Sequence, residues 1–250
     1  MKTVSVFPAN GDLGLPSVLG TYLLMDGTSG RPLAALDGAR LTLWRTAAAS
    51  ALAARHLARP DASHMLMVGA GALAPFLIRA HLAVRPIRQV VIWSRRREAA
   101  SALASSLAEE GLPTSATGDL AGAVAEAGVV SCATLSREPL VLGHWLKPGA
   151  HLDLVGAFAP DMREADDAAL LRASLYVDTF ACVHEGGDVA AAIKAGSLPI
   201  GAIRGDLADL VSGRAVGRRS PDEITVFKSV GASLEDLAAA ILVWRNLPEA

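Results

Sequence analysis

Cysteine is scarce in this sequence. Only Cys132 and Cys182 occur in 250 residues, far apart and in apolar surroundings. That excludes a disulfide framework and reads as two free thiols in a reducing compartment. There is no C-x-x-C, and none of the six histidines stands at an H-x-x-x-H spacing, so no metal site is expected. An excess of one charge is missing too. There are 23 Lys and Arg against 25 Asp and Glu, a formal net charge of -2, with no long run of one sign. This balance calls for neither nucleic acid nor an anionic lipid surface. No apolar stretch reaches the roughly 18 residues needed to cross a bilayer. The start, MKTVSVFPAN, lacks the apolar core of a secretory signal. The expectation is a cytoplasmic protein whose partners are small molecules, without nucleic acid or membrane.

What is present is apolar. Hydrophobic residues make up 52% and charged ones 19%, the balance of a compact folded chain. The length suits one large α/β domain or two interleaved ones. Thr3 to Phe7 alternates as a strand does, and Val18–Met25 and Arg31–Leu36 flank a turn-rich loop, Asp26 to Gly30. An Ala/Leu-rich helix is expected from Leu41 to Ala58, stopped by Pro60; its middle, Thr46 to Ala54, has no charge and should be buried all round.

From His64 onward short apolar runs alternate with helical stretches. The strand candidates are Met65–Val68, Val90–Trp93, Val129–Ala133, Leu152–Val155 and Leu175–Val177. The helices fall near Ala72–Val84, Glu98–Glu110, Leu120–Ala127 and Arg163–Ala173, with Asp119 as an N-cap and Gly111 as a C-cap. Beyond Asp188 the reading is helical again, then Glu223 to Val230 leads into a last helix, Leu234 to Trp244. Apolar strands separated by helices indicate βαβ units and a parallel sheet covered on both faces, a Rossmann-type doubly wound α/β fold.

Val68-Gly69-Ala70-Gly71-Ala72-Leu73-Ala74 fits the dinucleotide fingerprint G-x-G-x-x-G/A. Gly69 allows the tight turn out of the strand, Gly71 lets the backbone approach a pyrophosphate, and Ala74 keeps the helix close to the strand. The pyrophosphate then rests on free N–H groups at the positive end of the helix. Pro75 falls in or near the first turn, where a missing donor costs little. The next strand ends in Ser94-Arg95-Arg96-Arg97, where an NAD-specific site usually places an acid on the ribose 2′-hydroxyl. Guanidinium groups suit a 2′-phosphate instead, so NADP(H) is preferred, with NAD(H) as the other cofactor.

Arg45 stands at the edge of the uncharged helical run and needs an internal carboxylate or an anionic ligand. Lys2 begins the first strand and by itself reads as a solvated lysine. Further along, Lys2-Thr-Val-Ser-Val-Phe-Pro-Ala-Asn10, Leu41-Thr-Leu-Trp-Arg-Thr-Ala-Ala-Ala-Ser-Ala-Leu-Ala53, Gly69-Ala-Gly71 and Thr225-Val-Phe-Lys-Ser-Val-Gly231 with Glu235-Asp236 resemble the ornithine cyclodeaminase/mu-crystallin family, end to end and in order. Its members are NAD(P)-dependent enzymes of amino or cyclic imino acids, with a hormone-binding crystallin among them, and are typically homodimers.

The resemblance implies that Lys2 and Arg45 are the catalytic pair holding the substrate carboxylate, with Val230 beside the substrate. It also implies a cofactor set of Ser17, Arg45, Gly69, Gly71, Ala72, Leu73, Ser94, Arg95, Arg96, Thr134, Val155, Gly156 and Ser229. A substrate and dimerisation domain would comprise residues 1–60 and 223–250, and the dinucleotide domain 61–222. Members carry a further segment ahead of the strand that Lys2 begins. This chain starts at that strand, so the expectation is either a misplaced start or a fragment with an open sheet edge. Leu73 replaces a Gln common in the family. Where cyclodeaminases carry a catalytic Asp, the run Val155-Gly-Ala-Phe-Ala-Pro-Asp-Met-Arg-Glu164 has Phe158, which cannot move a proton. That form resembles the branch that reduces cyclic ketimines, so the expectation is NADPH-dependent reduction of Δ1-pyrroline- or Δ1-piperideine-2-carboxylate. The alternatives are an ornithine cyclodeaminase or amino-acid dehydrogenase, and a non-catalytic NADPH-binding protein of the crystallin kind.

Overall fold

A computed structural model describes residues 1–7, 10, 13–16 and 18–247. The chain divides into two compact units, one made of Met1–Thr46 with Ala232–Ala250, the other of Ala47–Gly231. The expected edges at 60 and 223 therefore move to 46/47 and 231/232. The reason lies in burial. Ala49, Ala53 and Leu57 belong to a core shared with Tyr176 and Phe227, and residues 225–228 form a strand inside the larger sheet.

In the smaller unit, β1 (Lys2–Val6) pairs antiparallel with β2 (Val18–Met25), which pairs antiparallel with β3 (Pro32–Asp37). Helix α1 (Gly38–Leu57) follows directly, and the last helix, α9 (Ser233–Arg245), returns to this unit. Tyr22, Leu24, Leu41 and Ala240 form its buried cluster. The loop between β2 and β3 is held by Asp26, whose Oδ1 accepts from the Thr28 and Ser29 amides at 3.1 and 2.7 Å.

The larger unit is built on β4 (His64–Val68), β5 (Gln89–Trp93), β6 (Thr114–Ala116), β7 (Val129–Cys132), β8 (His151–Leu154), β9 (Ser174–Val177), β10 (Ile203–Asp206) and β11 (Thr225–Lys228). The strand order is β10-β9-β11-β8-β7-β4-β5-β6, and every neighbouring pair runs parallel. Its helices are α2 (Ala74–Val84), α3 (Arg97–Glu109), α4 (Leu120–Glu126), α5 (Asp167–Leu171), α6 (Cys182–Glu185), α7 (Gly187–Lys194) and α8 (Leu207–Ser212). All four residues of β7, β8, β9 and β11 are buried, as strands covered on both faces must be. The chain thus winds one way from β4 to β6 and the other way from β7, so a switch point opens at the carboxyl ends of β4 and β7.

Three strands of this sheet are absent from the sequence candidates: β11, which is central, and β6 and β10, which are the two edges. Half-exposed and short, the edges leave no apolar run to read. The helix expected over 163–173 contracts to α5 because Asp166 caps it, accepting from the Ala169 amide at 2.9 Å. Asp119 caps α4 through the Gly122 amide at 3.0 Å, and Gly111, at φ +85°, follows α3. In α1, Ala48 is exposed and Leu52 half-buried, so the uncharged run is not buried on every face. Arg85 donates to the carbonyls of Arg55 and Ala58 at 2.9 Å, and Arg218 to that of Leu57 at 2.7 Å. Two guanidinium groups thereby satisfy the orphan carbonyls at the end of α1.

Candidate functional site

The switch point is occupied by the glycine turn. Gly69 has φ +118°, and a Cβ there would meet the Ala133 carbonyl oxygen at 2.5 Å. Only glycine combines that backbone with that approach. The Gly69 amide donates to the Trp93 carbonyl at 2.8 Å, tying the turn to β5. At Gly71 the space a Cβ would fill is open to 4 Å. Among the described residues, the amides of Ala70, Gly71, Ala72 and Leu73 make no hydrogen bond to protein. Helix α2 starts immediately after, with Pro75 in its first turn, no side-chain cap, and Ala74 buried. Free amides, a bare approach and a helix N-terminus together fit a dinucleotide pyrophosphate.

Beyond β5, Ser94 is half-buried and Arg95, Arg96 and Arg97 are exposed. The Arg97 guanidinium lies against Gly118, 3.3 Å from where a Cβ would stand. Among the described residues neither Arg95 nor Arg96 enters an ion pair, and no acid stands between Trp93 and Arg97. Both remain available to an anion at the end of the strand.

On the other side of the switch point a different device appears. Glu164 is fully buried. Its Oε1 accepts from the Thr134 amide and hydroxyl at 2.6 and 2.9 Å, and its Oε2 from the Gly156 and Ala157 amides at 2.7 and 3.2 Å. One carboxylate thus joins the segments leaving β7 and β8. A Cβ on Gly156 would overlap the Thr134 backbone and Glu164. Asp188, at the start of α7, accepts from the Glu164 and Ala165 amides at 2.7 and 3.0 Å, and stands 3.4 Å from the Lys228 ammonium at the end of β11. Both partners of that ion pair are fully buried. Burial pushes the Glu164 carboxyl up to about 7, against the pull of Lys228 and the Thr134 donors and with the push of Asp188.

Asp178, following β9, does the same for the exit of β11. Its Oδ2 accepts from the Ser229 hydroxyl and the Val230 and Gly231 amides at 3.1, 2.8 and 2.5 Å. Thr134, Val155, Gly156, Ser229 and Val230 therefore all lie on segments that leave neighbouring strands at one edge of the sheet. Phe158, on the β8 exit, is half-exposed, and Asp161 pairs with Arg137 at 3.2 Å on the surface.

Ser50, Ser131, His81 and Asp153 form a separate buried group. Both hydroxyls donate to Asp153, at 2.9 and 2.7 Å, and His81 Nε2 stands 3.2 Å from it. Each serine points at the carboxylate rather than at the imidazole, and all four side chains are fully buried. This is a packing network and not a nucleophile–base pair.

In the smaller unit, Lys2 Nζ pairs with Asp236 Oδ1 at 2.9 Å. Arg45 pairs through NH1 with Glu235 at 2.8 Å and through Nε with the same Asp236 oxygen at 3.2 Å. The side chains are 11 to 15% exposed. The expectation of a solvated Lys2 is overturned, and Arg45 has the internal carboxylate its position demanded. Ser17 lies outside the described residues. Sequence reasoning assigned nothing to Glu164, Asp178, Asp188, Lys228, Glu235 or Asp236. For Asp178 and Lys228 the signal was a lone charge at the end of an apolar strand run, which marks a paired buried group; the sequence around Glu164, Asp188, Glu235 and Asp236 carries no such mark.

The family model for the ornithine cyclodeaminase/mu-crystallin family matches residues 1–250. The chain is 44% identical over 246 residues to a Δ1-pyrroline-2-carboxylate reductase of Paracoccus denitrificans, covering 98% of this chain and 77% of that protein. The solved structure of the Thermococcus litoralis Δ1-pyrroline-2-carboxylate reductase, in complex with NADH and L-proline, superposes with a TM-score of 0.94 at 35% identity, over 98% of this chain and 76% of that one. An archaeal alanine dehydrogenase dimer with bound NAD superposes at 0.93 with 32% identity, over 98% and 76%.

Proposed function

This chain belongs to the ornithine cyclodeaminase/mu-crystallin family, and we propose that it reduces the C=N bond of a cyclic imino acid, Δ1-pyrroline-2-carboxylate or Δ1-piperideine-2-carboxylate. The observation that carries the cofactor is the turn at Gly69, pressed against Ala133 with four free amides beyond it at the tip of α2. The similarity to named pyrroline-2-carboxylate reductases supports the substrate class. When bound, the reduced nicotinamide supplies the hydride.

This chain's residues do the rest. The amides of Ala70 to Leu73 hold the pyrophosphate, and Ser94, Arg95 and Arg96 take a 2′-phosphate, which is why NADP(H) is preferred over NAD(H) in this reading. Thr134, Val155, Gly156 and Ser229 line the nicotinamide end. Lys2 and Arg45 bind the substrate carboxylate; their shared contact with Asp236 sets the spacing of the two cations, and Val230 lies beside the substrate. The imine nitrogen takes its proton from water, so the protein needs no strong acid, and Phe158 in place of a carboxylate fits that economy. The smaller unit carries exposed Val4, Phe7, Trp44, Leu234, Leu242 and Trp244, an apolar surface suited to a homodimer.

The test is an assay of purified protein with each imine and each reduced nucleotide, from mildly acid to alkaline pH. Oxidation of the nucleotide with stoichiometric formation of the cyclic amino acid is expected, faster with NADPH. Binding of nucleotide with no turnover of either imine across that range would refute the reductase reading and leave only a binding protein.

A further inference from the structure

Every charge in a protein interior requires a reason, and the group around Glu164 has none in the fingerprint. Four donors converge on its carboxylate, from Thr134 after β7 and from Gly156 and Ala157 after β8. A carboxylate that accepts on both oxygens holds two loops at a fixed separation, because each N–H bond is directional and short. Glu164 is itself fixed. Its own amide and the next donate to Asp188, and Asp188 faces Lys228. Gly156 reports the tightness, since nothing larger fits against Thr134.

The two loops so joined leave the sheet on the β7 and β8 side of the switch point, away from the side where β5 ends in the arginines. In a doubly wound sheet the two halves serve the two halves of a dinucleotide. We propose that Glu164 is a positioning residue for the nicotinamide half of the cofactor, acting through the main chain of Thr134, Gly156 and Ala157. The inference rests on the dinucleotide part of the reading above and not on the identity of the imine.

It makes a prediction that a general structural role does not. A neutral amide at this position cannot accept four donors, since one end becomes a donor itself. Glu164→Gln should weaken binding of NADPH and NADH about tenfold or more, the loss expected of a broken buried charge-assisted network. Binding of ADP and 2′,5′-ADP, which lack the nicotinamide riboside, should stay within about twofold of the wild type. In the wild-type protein NADH affinity should also fall as pH drops through neutrality, and in Glu164→Gln it should not; NADH carries no 2′-phosphate whose own titration would mimic the change. The charged or titratable groups facing Glu164 are Lys228 from β11, Asp188 from α7 and Cys132 from β7. Burial first, and the three carboxylates next, raise the Cys132 thiol well above its ordinary value, which leaves it protonated in that range.

Titration calorimetry or nucleotide fluorescence on the full chain reads all of these. Equal weakening of whole and half nucleotides in Glu164→Gln would overturn the proposal, and so would unchanged affinity for both. Should that variant not fold, Thr134→Val removes one of the four donors while keeping the amide. It should weaken NADPH and NADH about threefold and spare the half nucleotides, and unchanged NADPH binding there overturns the proposal as well. Wild-type protein that binds neither dinucleotide would bring down the cofactor reading together with this inference. Wild-type binding without imine turnover would touch only the reductase reading.

Discussion

The two halves of the parallel sheet present their main chain by opposite means. After β4 the chain presents main-chain amides by having no side chains in the way, with Gly69 held in a left-handed backbone and open space at Gly71. After β7, β8 and β11 it presents main chain by gripping it from beneath, with Glu164, Asp188 and Asp178 accepting eight amide hydrogens in all, from Thr134, Gly156, Ala157, Glu164, Ala165, Thr179, Val230 and Gly231. The first device is local and follows from residue type. The second is assembled from distant segments and depends on buried charge. A phosphate needs free donors, whereas a flat ring and its substrate need walls at set distances.

The largest effect should come from breaking the first device. Gly69→Ala must adopt φ near +118° and push into Ala133, so dinucleotide affinity should fall at least about 100-fold, near 2.7 kcal/mol, with a lowered melting temperature. Gly71→Ala, placed in open space, should lose nucleotide binding without losing stability. Calorimetry and thermal melts separate the two.

Next comes pH. Glu164, pushed up to about 7 from 4.5, takes its proton in the folded chain before the unfolded chain does, so its contribution to stability rises as pH falls from about 7 to 4.5. His151 runs the other way. Burial lowers it from 6.5 to about 3, with Asp153 opposing. The unfolded chain therefore protonates first, and stability is lost as pH falls from 6.5 toward 3. The two largely offset between pH 7 and pH 5. Glu164→Gln should uncover the His151 loss, about 2 kcal/mol between those values by denaturant titration. His151→Asn should uncover a gain instead.

A smaller effect sharpens the distinction within the first half. Changing both Arg95 and Arg96 to Ala should weaken NADPH about tenfold and leave NADH within about twofold, since only the former carries the 2′-phosphate. Equal losses for both nucleotides would remove the arginines from that role.

How much could be read in advance follows the same division. The strand–turn–helix at residues 64–84, the buried strands β7, β8 and β9 and the Asp119 cap were legible, because each rests on neighbours within a few residues. The edge strands β6 and β10 were not, since Thr-Ser-Ala and Ile-Arg-Gly-Asp are too short and too poor in large apolar side chains to show an alternation. Nor was the placement of β11 between β8 and β9, which moved residues 225–231 out of the smaller unit. Lys2 looked solvated because its partner, Asp236, lies 234 residues away. Thr134 and Gly156 were named for the site, but Glu164, which holds both, was only a letter in a motif.

By itself the sequence determined that a parallel sheet would form and where the chain would turn with no side chain in the way, since apolar periodicity and the absence of side chains are local properties. Only the tertiary structure decided which carboxylate meets which amide and which cation, because partners such as Thr134 and Glu164 or Lys2 and Asp236, 30 and 234 residues apart, find each other through packing. A charge in the interior is defined by what surrounds it, and no single stretch of chain carries that information.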